Sequence, residues 1–139
     1  MTIPRYDDTL LHPLANDAAV LDRATALVGV AYRRQIWLML VDDDDIQLPQ
    51  LIPMDIPRRS RRRDLGGYAA FLAHLAQATG AASIVAVYER PGEPEYTEAD
   101  RGWFRFLADA ASGAGVRLRG PVLSHRTGVR WVASEDYAL

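Results

Sequence analysis

From Gln35 to Val41 the chain reads Gln-Ile-Trp-Leu-Met-Leu-Val, apolar at every position after the first. A run with no polar face and too few residues for a typical helix reads as a buried strand. Four consecutive aspartates, Asp42 to Asp45, break it. Residues 46 to 56 then read as a second strand, returning antiparallel across the acidic turn, in which Pro49 and Pro53 each remove a ladder donor. Being four apart, the prolines face the same hydrogen-bonding side, so this strand pairs fully on one side only and belongs at a sheet edge. The first strand is then the candidate for the centre.

The remaining periodicities fill in the domain. Residues 1 to 16, with Pro4 and Pro13 and no sustained period, read as an extended arm. A first helix follows, capped by Asn16 or Asp17, with Val20, Leu21, Ala24, Leu27 and Val28 at helical spacing and Gly29 as its stop. Asp64 is the expected cap of a second helix whose inner face is Leu65, Tyr68, Phe71, Leu72, Leu75 and Thr79, ended by Gly80. Residues 83 to 89 make a third strand. Thr97 and Asp100 form the spacing of a capping box before a third helix that turns Trp103, Phe106, Leu107, Ala110 and Ala114 inward and closes at Gly115. Residues 116 to 124 and 129 to 133 make a final strand pair around His125. Two right-handed crossovers make the second, third and fourth strands parallel in direction. The expectation is one α/β domain over residues 17 to 139, with a mixed sheet of about five strands and three helices.

Composition excludes several chemistries. There is no Cys in the 139 residues, and all 16 basic residues are Arg. Thiol nucleophiles, cysteine-held zinc or iron–sulfur centres, Schiff-base lysines and the lysine of a P-loop are therefore absent. His12, His74 and His125 form no short-spaced pair, and no Gly-x-Ser-x-Gly elbow surrounds any serine. Neither a membrane-length apolar run nor the order of a signal peptide is present, so the expected location is cytoplasmic and no membrane partner is expected. Arg to the exclusion of Lys, with abundant Ala, suggests a GC-rich coding sequence.

Strands that run the same way end at one edge, where open α/β folds place their ligands. That edge collects Asp55, then Glu89 with Arg90, then His125 with Arg126. A carboxylate, a histidine and arginines together can hold an anion, orient a metal-bound water or move a proton. The competing reading is that polar residues simply belong where strands emerge into solvent. Arg58, Arg59, Arg61, Arg62 and Arg63 form the strongest electrostatic feature and lead into a helix start, where the N–H groups of Leu65, Gly66 and Gly67 could add to the attraction for phosphate. Against nucleic acid stands the net charge of −2. The acidic turn lacks the spacing of a calcium loop and reads as a solvated turn at the far end of the hairpin.

Leu11, His12 and Pro13, the strand with Trp37, the 49–57 segment with Asp55, Arg90 with Pro91 and Gly92, the Thr97, Asp100, Arg101 and Trp103 cluster, and residues 128 to 136 carry a resemblance. Along most of its length from Leu11 the chain resembles a family of small, stand-alone, uncharacterised actinobacterial proteins. Its strand-helix-strand-strand tail is similar to that of a larger actinobacterial domain-of-unknown-function family. The resemblance implies no catalytic residue, because neither family carries an assigned reaction. It implies a cytoplasmic protein of a GC-rich bacterium in which Asp55, Arg90 and Asp100 belong to a shared feature.

Three readings follow. The first is a non-catalytic binding or regulatory domain whose strand-end edge, with Asp55, Arg90 and His125, meets an anionic small molecule or a protein partner, without a cofactor. The second is a divalent-metal hydrolase or nuclease built on Asp55, Glu89 and His125. The third is a nucleic-acid module working through the 58–63 arginines. An edge strand also leaves room for a homodimer.

Overall fold

Strand β1, Gln35–Val41, is buried at six of its seven positions and is hydrogen-bonded on both sides. It pairs antiparallel with β2, Gln47–Asp55, and antiparallel with β3, Ser83–Glu89. β3 pairs parallel with β4, Arg117–His125, which turns back antiparallel into β5, Gly128–Trp131. The order is β2-β1-β3-β4-β5 in this computed structural model, which describes residues 12–137. The chain is thus a single α/β domain with a mixed five-stranded sheet and three helices. β2 lies at the edge as its prolines require. β1 is interior, but the middle place belongs to β3.

Helices cover both faces. Helix α1, Asp17–Leu27, begins at Asn16, whose side chain accepts from the Ala19 N–H. It packs Val20 and Ala24, with Leu14, against Met39, Val41, Val85, Val87 and Val122. Helices α2, Leu65–Thr79, and α3, Glu98–Ala114, cover the other face. There Leu72, Trp103, Phe104, Phe106 and Leu107 meet Ile36, Leu38, Leu40, Ile84, Ala86 and Tyr88. Alternate residues of β1 and β3 thus feed two separate cores, which is why the β1 run shows no polar face.

Three expectations are corrected. Asp64 does not cap α2: a 3₁₀ turn, Arg62–Asp64, runs straight into the helix, and the Asp64 side chain makes no capping bond. Phe71 is 36% exposed and not core, because it stands one residue, about 100°, round from the buried Leu72. The arm falls partly in residues 1–11, outside the described residues. Its described end does not stand free, since Leu14 is 1% exposed and donates its N–H to the Asp45 carbonyl at 2.7 Å.

One irregularity positions the site. Val85 pairs with Arg119 and Val87 with Val122, so β4 carries one residue more than β3 at Gly120 and Pro121. Gly120 has φ +99°, and a Cβ there would lie 3.0 Å from the Val122 nitrogen, so the bulge requires glycine. The extra residue restores the phase that turns Leu123 toward α3 and Ser124 toward α1.

Candidate functional site

The polar residues at the shared strand ends divide between the two faces of the sheet. Asp55, Gln35, Glu89 and Ser124 stand in register across four strands, on the α1 side. The loop from α1 to β1 closes over this row. Glu89 Oε2 accepts from the backbone N–H groups of Tyr32 at 2.6 Å and Arg33 at 3.1 Å. Glu89 Oε1 accepts from Gln35 Nε2 and Trp37 Nε1, each at 2.8 Å. The Ser124 hydroxyl donates to the Gly29 carbonyl, and the exposed Asp55 pairs with Arg33. Burial pushes the Glu89 carboxyl upward, but these four donors outweigh it and hold the group below its ordinary range. With both oxygens doubly engaged and the residue 3% exposed, Glu89 anchors a loop and has no lone pair to spend on a substrate.

Arg90, one residue on, faces the other side, where α3 begins. Its guanidinium grips Asp100, with Nη2 to Oδ2 at 2.8 Å and Nε within 3.2 Å of both oxygens, and also donates to the carbonyls of Glu93 and Glu95. Asp100 further accepts from the Tyr88 hydroxyl at 3.0 Å and, as the third residue of α3, from the Thr97 N–H at 2.9 Å, which completes the capping box. Burial raises the Asp100 carboxyl, while Arg90, Thr97 and Tyr88 together bring it below its ordinary range. Burial and the Asp100 charge push the Tyr88 hydroxyl up, so it stays protonated and donates. Arg90 and Asp100 are 3% and 1% exposed.

Above this pair opens a cleft of about 340 Å³, bordered by Arg34, Arg58, the 91–95 loop, Thr97 and Ala99. Arg34 reaches it from the residue before β1, with one Nη1 contact to the Tyr88 hydroxyl at 3.2 Å. Arg58, exposed, borders it from the loop that follows β2. Its loop is pinned to α3 by Trp103 Nε1, which donates to the carbonyls of Pro57 at 3.1 Å and Arg58 at 3.2 Å. Glu98 and Ala99, at the start of α3, carry N–H groups with no acceptor inside the helix. Two guanidinium groups and a helix N-terminus thus converge on a cleft whose floor is an internally neutralised ion pair.

The remaining expected residues fall elsewhere. His125 is 6% exposed, and its Nδ1 accepts from the Thr127 N–H at 3.3 Å, which assigns the ring proton to Nε2. Burial, then Arg90 and Arg130, lowers its proton affinity, so it is neutral and serves the β4–β5 turn. Arg126 is exposed and pairs with Glu93 at 2.9 Å. Asp55, Glu89 and His125 do not assemble as the metal-hydrolase reading required: the first two lie on the α1 side, His125 lies on the other, and among the described residues no three His, Asp or Glu groups could hold a metal ion. The same holds for Asp42 to Asp45, where Asp42 Oδ1 is used by the N–H groups of Asp44 and Ile46.

The 58–63 arginines do not all face one surface. Arg58 borders the cleft, Arg59 lies beside Glu98 and Arg105, Arg62 pairs with Asp109 at 2.9 Å, and Arg63 turns toward Met54, Tyr68 and Phe71. Arg61 is exposed. The expected anion donors at the start of α2 are reduced too, because the Leu65 N–H donates to the Arg62 carbonyl.

Arg34 was not singled out in the sequence, although its place one residue before a strand whose Gln35 faces α1 sets it on the α3 side. The same alternation separates Glu89 from Arg90. The fold and this edge define an α/β domain with an arginine-walled cleft at the carboxyl end of its central strand. No protein-family model and no curated protein matches the chain.

Proposed function

We propose that the protein is a non-catalytic binding domain that takes an anionic group into the cleft between Arg34 and Arg58. The observation that carries this reading is the contrast in commitment. Arg90 and Asp100 spend their polar atoms on each other and on the 93–97 segment, whereas Arg34 makes a single contact and Arg58 has no side-chain partner among the described residues. A guanidinium with free donors beside a helix N-terminus is suited to phosphate, sulfate or carboxylate. The non-catalytic part of the reading is supported by how two acid–base candidates are used: Glu89 has both oxygens engaged, and His125 is a buried residue of the β4–β5 turn.

The test is isothermal calorimetry with inorganic phosphate and sulfate on the intact protein and on Arg34→Ala and Arg58→Ala variants. Both side chains lie outside the cores, so the variants should melt with the parent. Each is expected to weaken binding about tenfold, the scale of one charge-assisted contact. Binding that is absent in the parent, or unchanged in both variants, rejects the reading.

A further inference from the structure

We infer that the anion site is the end of a longer track, and that its ligand carries two or more phosphate groups in series; this rests on the binding reading above. The cleft does not stop at Ala99. That residue also borders a hollow of about 150 Å³ formed with Arg59, Ser60, Glu98, Gly102 and Arg105. Ser60, Gly102 and Arg105 in turn border a third, of about 370 Å³, with Arg62 and Asp109. Three hollows that share their boundary residues make one continuous surface along α3 from Glu98 to Asp109, bordered by the 58–62 segment.

Gly102 keeps the passage low: a Cβ there would lie 3.6 Å from the Ser60 hydroxyl, so a larger side chain would fill the space under the loop.

The charges of the track point to its ligand. Arg90 is neutralised by Asp100, Arg62 by Asp109, and Glu93 by Arg126. Arg34, Arg58, Arg59 and Arg105 remain, against the carboxylates of Glu95 and Glu98. Arg105 has one contact, from Nη1 to the Tyr137 carbonyl at 3.2 Å, and Arg59 has none among the described residues. Uncompensated guanidinium groups at both the cleft and the middle of the track suit a chain of phosphates better than a single anion. Among the described residues no aromatic side chain borders the track, so a bound nucleic acid would be held by its backbone and not by stacked bases.

Calorimetry at fixed ionic strength compares inorganic phosphate, tripolyphosphate and a thymidine tetranucleotide, on the parent and on Arg34→Ala, Arg59→Ala and Arg105→Gln. Tripolyphosphate is expected to bind at least about tenfold tighter than phosphate. Arg59→Ala and Arg105→Gln should weaken tripolyphosphate several-fold and leave phosphate unchanged, whereas Arg34→Ala weakens both. Arg59 is exposed and has no side-chain partner among the described residues, so its variant reports on binding even if Arg105→Gln lowers the melting temperature. Equal affinity for phosphate and tripolyphosphate, or indifference of tripolyphosphate to both track variants, overturns the track while leaving the cleft standing. If no anion binds, the cleft reading and the track fall together. Tetranucleotide binding tighter than tripolyphosphate supports the track and assigns its phosphates to a nucleic-acid backbone; weaker binding supports it and assigns them to a free polyphosphate or nucleotide tail.

Discussion

Glu89 and Arg90 are neighbours in sequence and opposites in role only by the alternation of a strand. Each is buried, charged and hydrogen-bonded through every side-chain polar atom, and each is a position where removing one partner strands the rest. Glu89→Gln places an amide against four N–H donors and should cost about 2–3 kcal/mol of stability in urea denaturation. Arg90→Ala leaves the Asp100 carboxylate buried without its cation, and a loss of about 3–5 kcal/mol is expected from the same measurement. The pH profile of the melting temperature should descend in two steps on acidification. His125 binds protons less readily when folded, so below its ordinary value of 6.5 the unfolded chain gains protons first and stability falls until the folded value is passed. Glu89 and Asp100 are held below their ordinary values of 4.5 and 3.8, so their contribution is complete above that range and is lost as pH falls through the folded values. His125→Gln should remove the upper step alone; persistence of that step would place its origin elsewhere.

At the scale of elements, most of the architecture was legible because its signals are local. The β1 run, the two prolines of β2, the glycine ends of α2 and α3, and the Thr97–Asp100 box each act within a few residues. Thr97→Ala should cost about 1 kcal/mol, measurable as a lower unfolding midpoint with an unchanged slope. What was not legible depends on pairing. The bulge at Gly120 and Pro121 resets the phase of β4; the glycine and proline inside the run are its local signal, but the shift they produce is set by pairing with β3. The candidate edge is legible, since strand direction follows from the crossovers, but the division of its residues between two faces depends on the register of the strands. Asp55 and Glu89 went to the covered side, and Arg34 was overlooked on the open one. Asp100 shows why: a capping residue and an ion-pair partner look the same in sequence, and only the packing of α3 against the end of β3 joins the two roles.

Across the whole molecule, charge is arranged along β2. The acidic turn precedes its first residue and the arginines follow its last, about nine residues of extended chain apart, roughly 30 Å. A net charge of −2 therefore hides a basic end at the carboxyl edge of the sheet. Binding of an anion at that end should weaken with added salt, since the guanidinium groups that remain free are solvent-facing. The two sides of the edge make the most direct comparison. Amide shifts in a two-dimensional ¹H–¹⁵N spectrum, followed during phosphate titration, distinguish them residue by residue. The expected result is movement at Arg34, Arg58, Glu98 and Ala99 with Tyr32 and Arg33, held by Glu89, unmoved. Movement at Tyr32 and Arg33 with a silent cleft would contradict the account, because the anion would then be entering on the side that the α1–β1 loop is held to close.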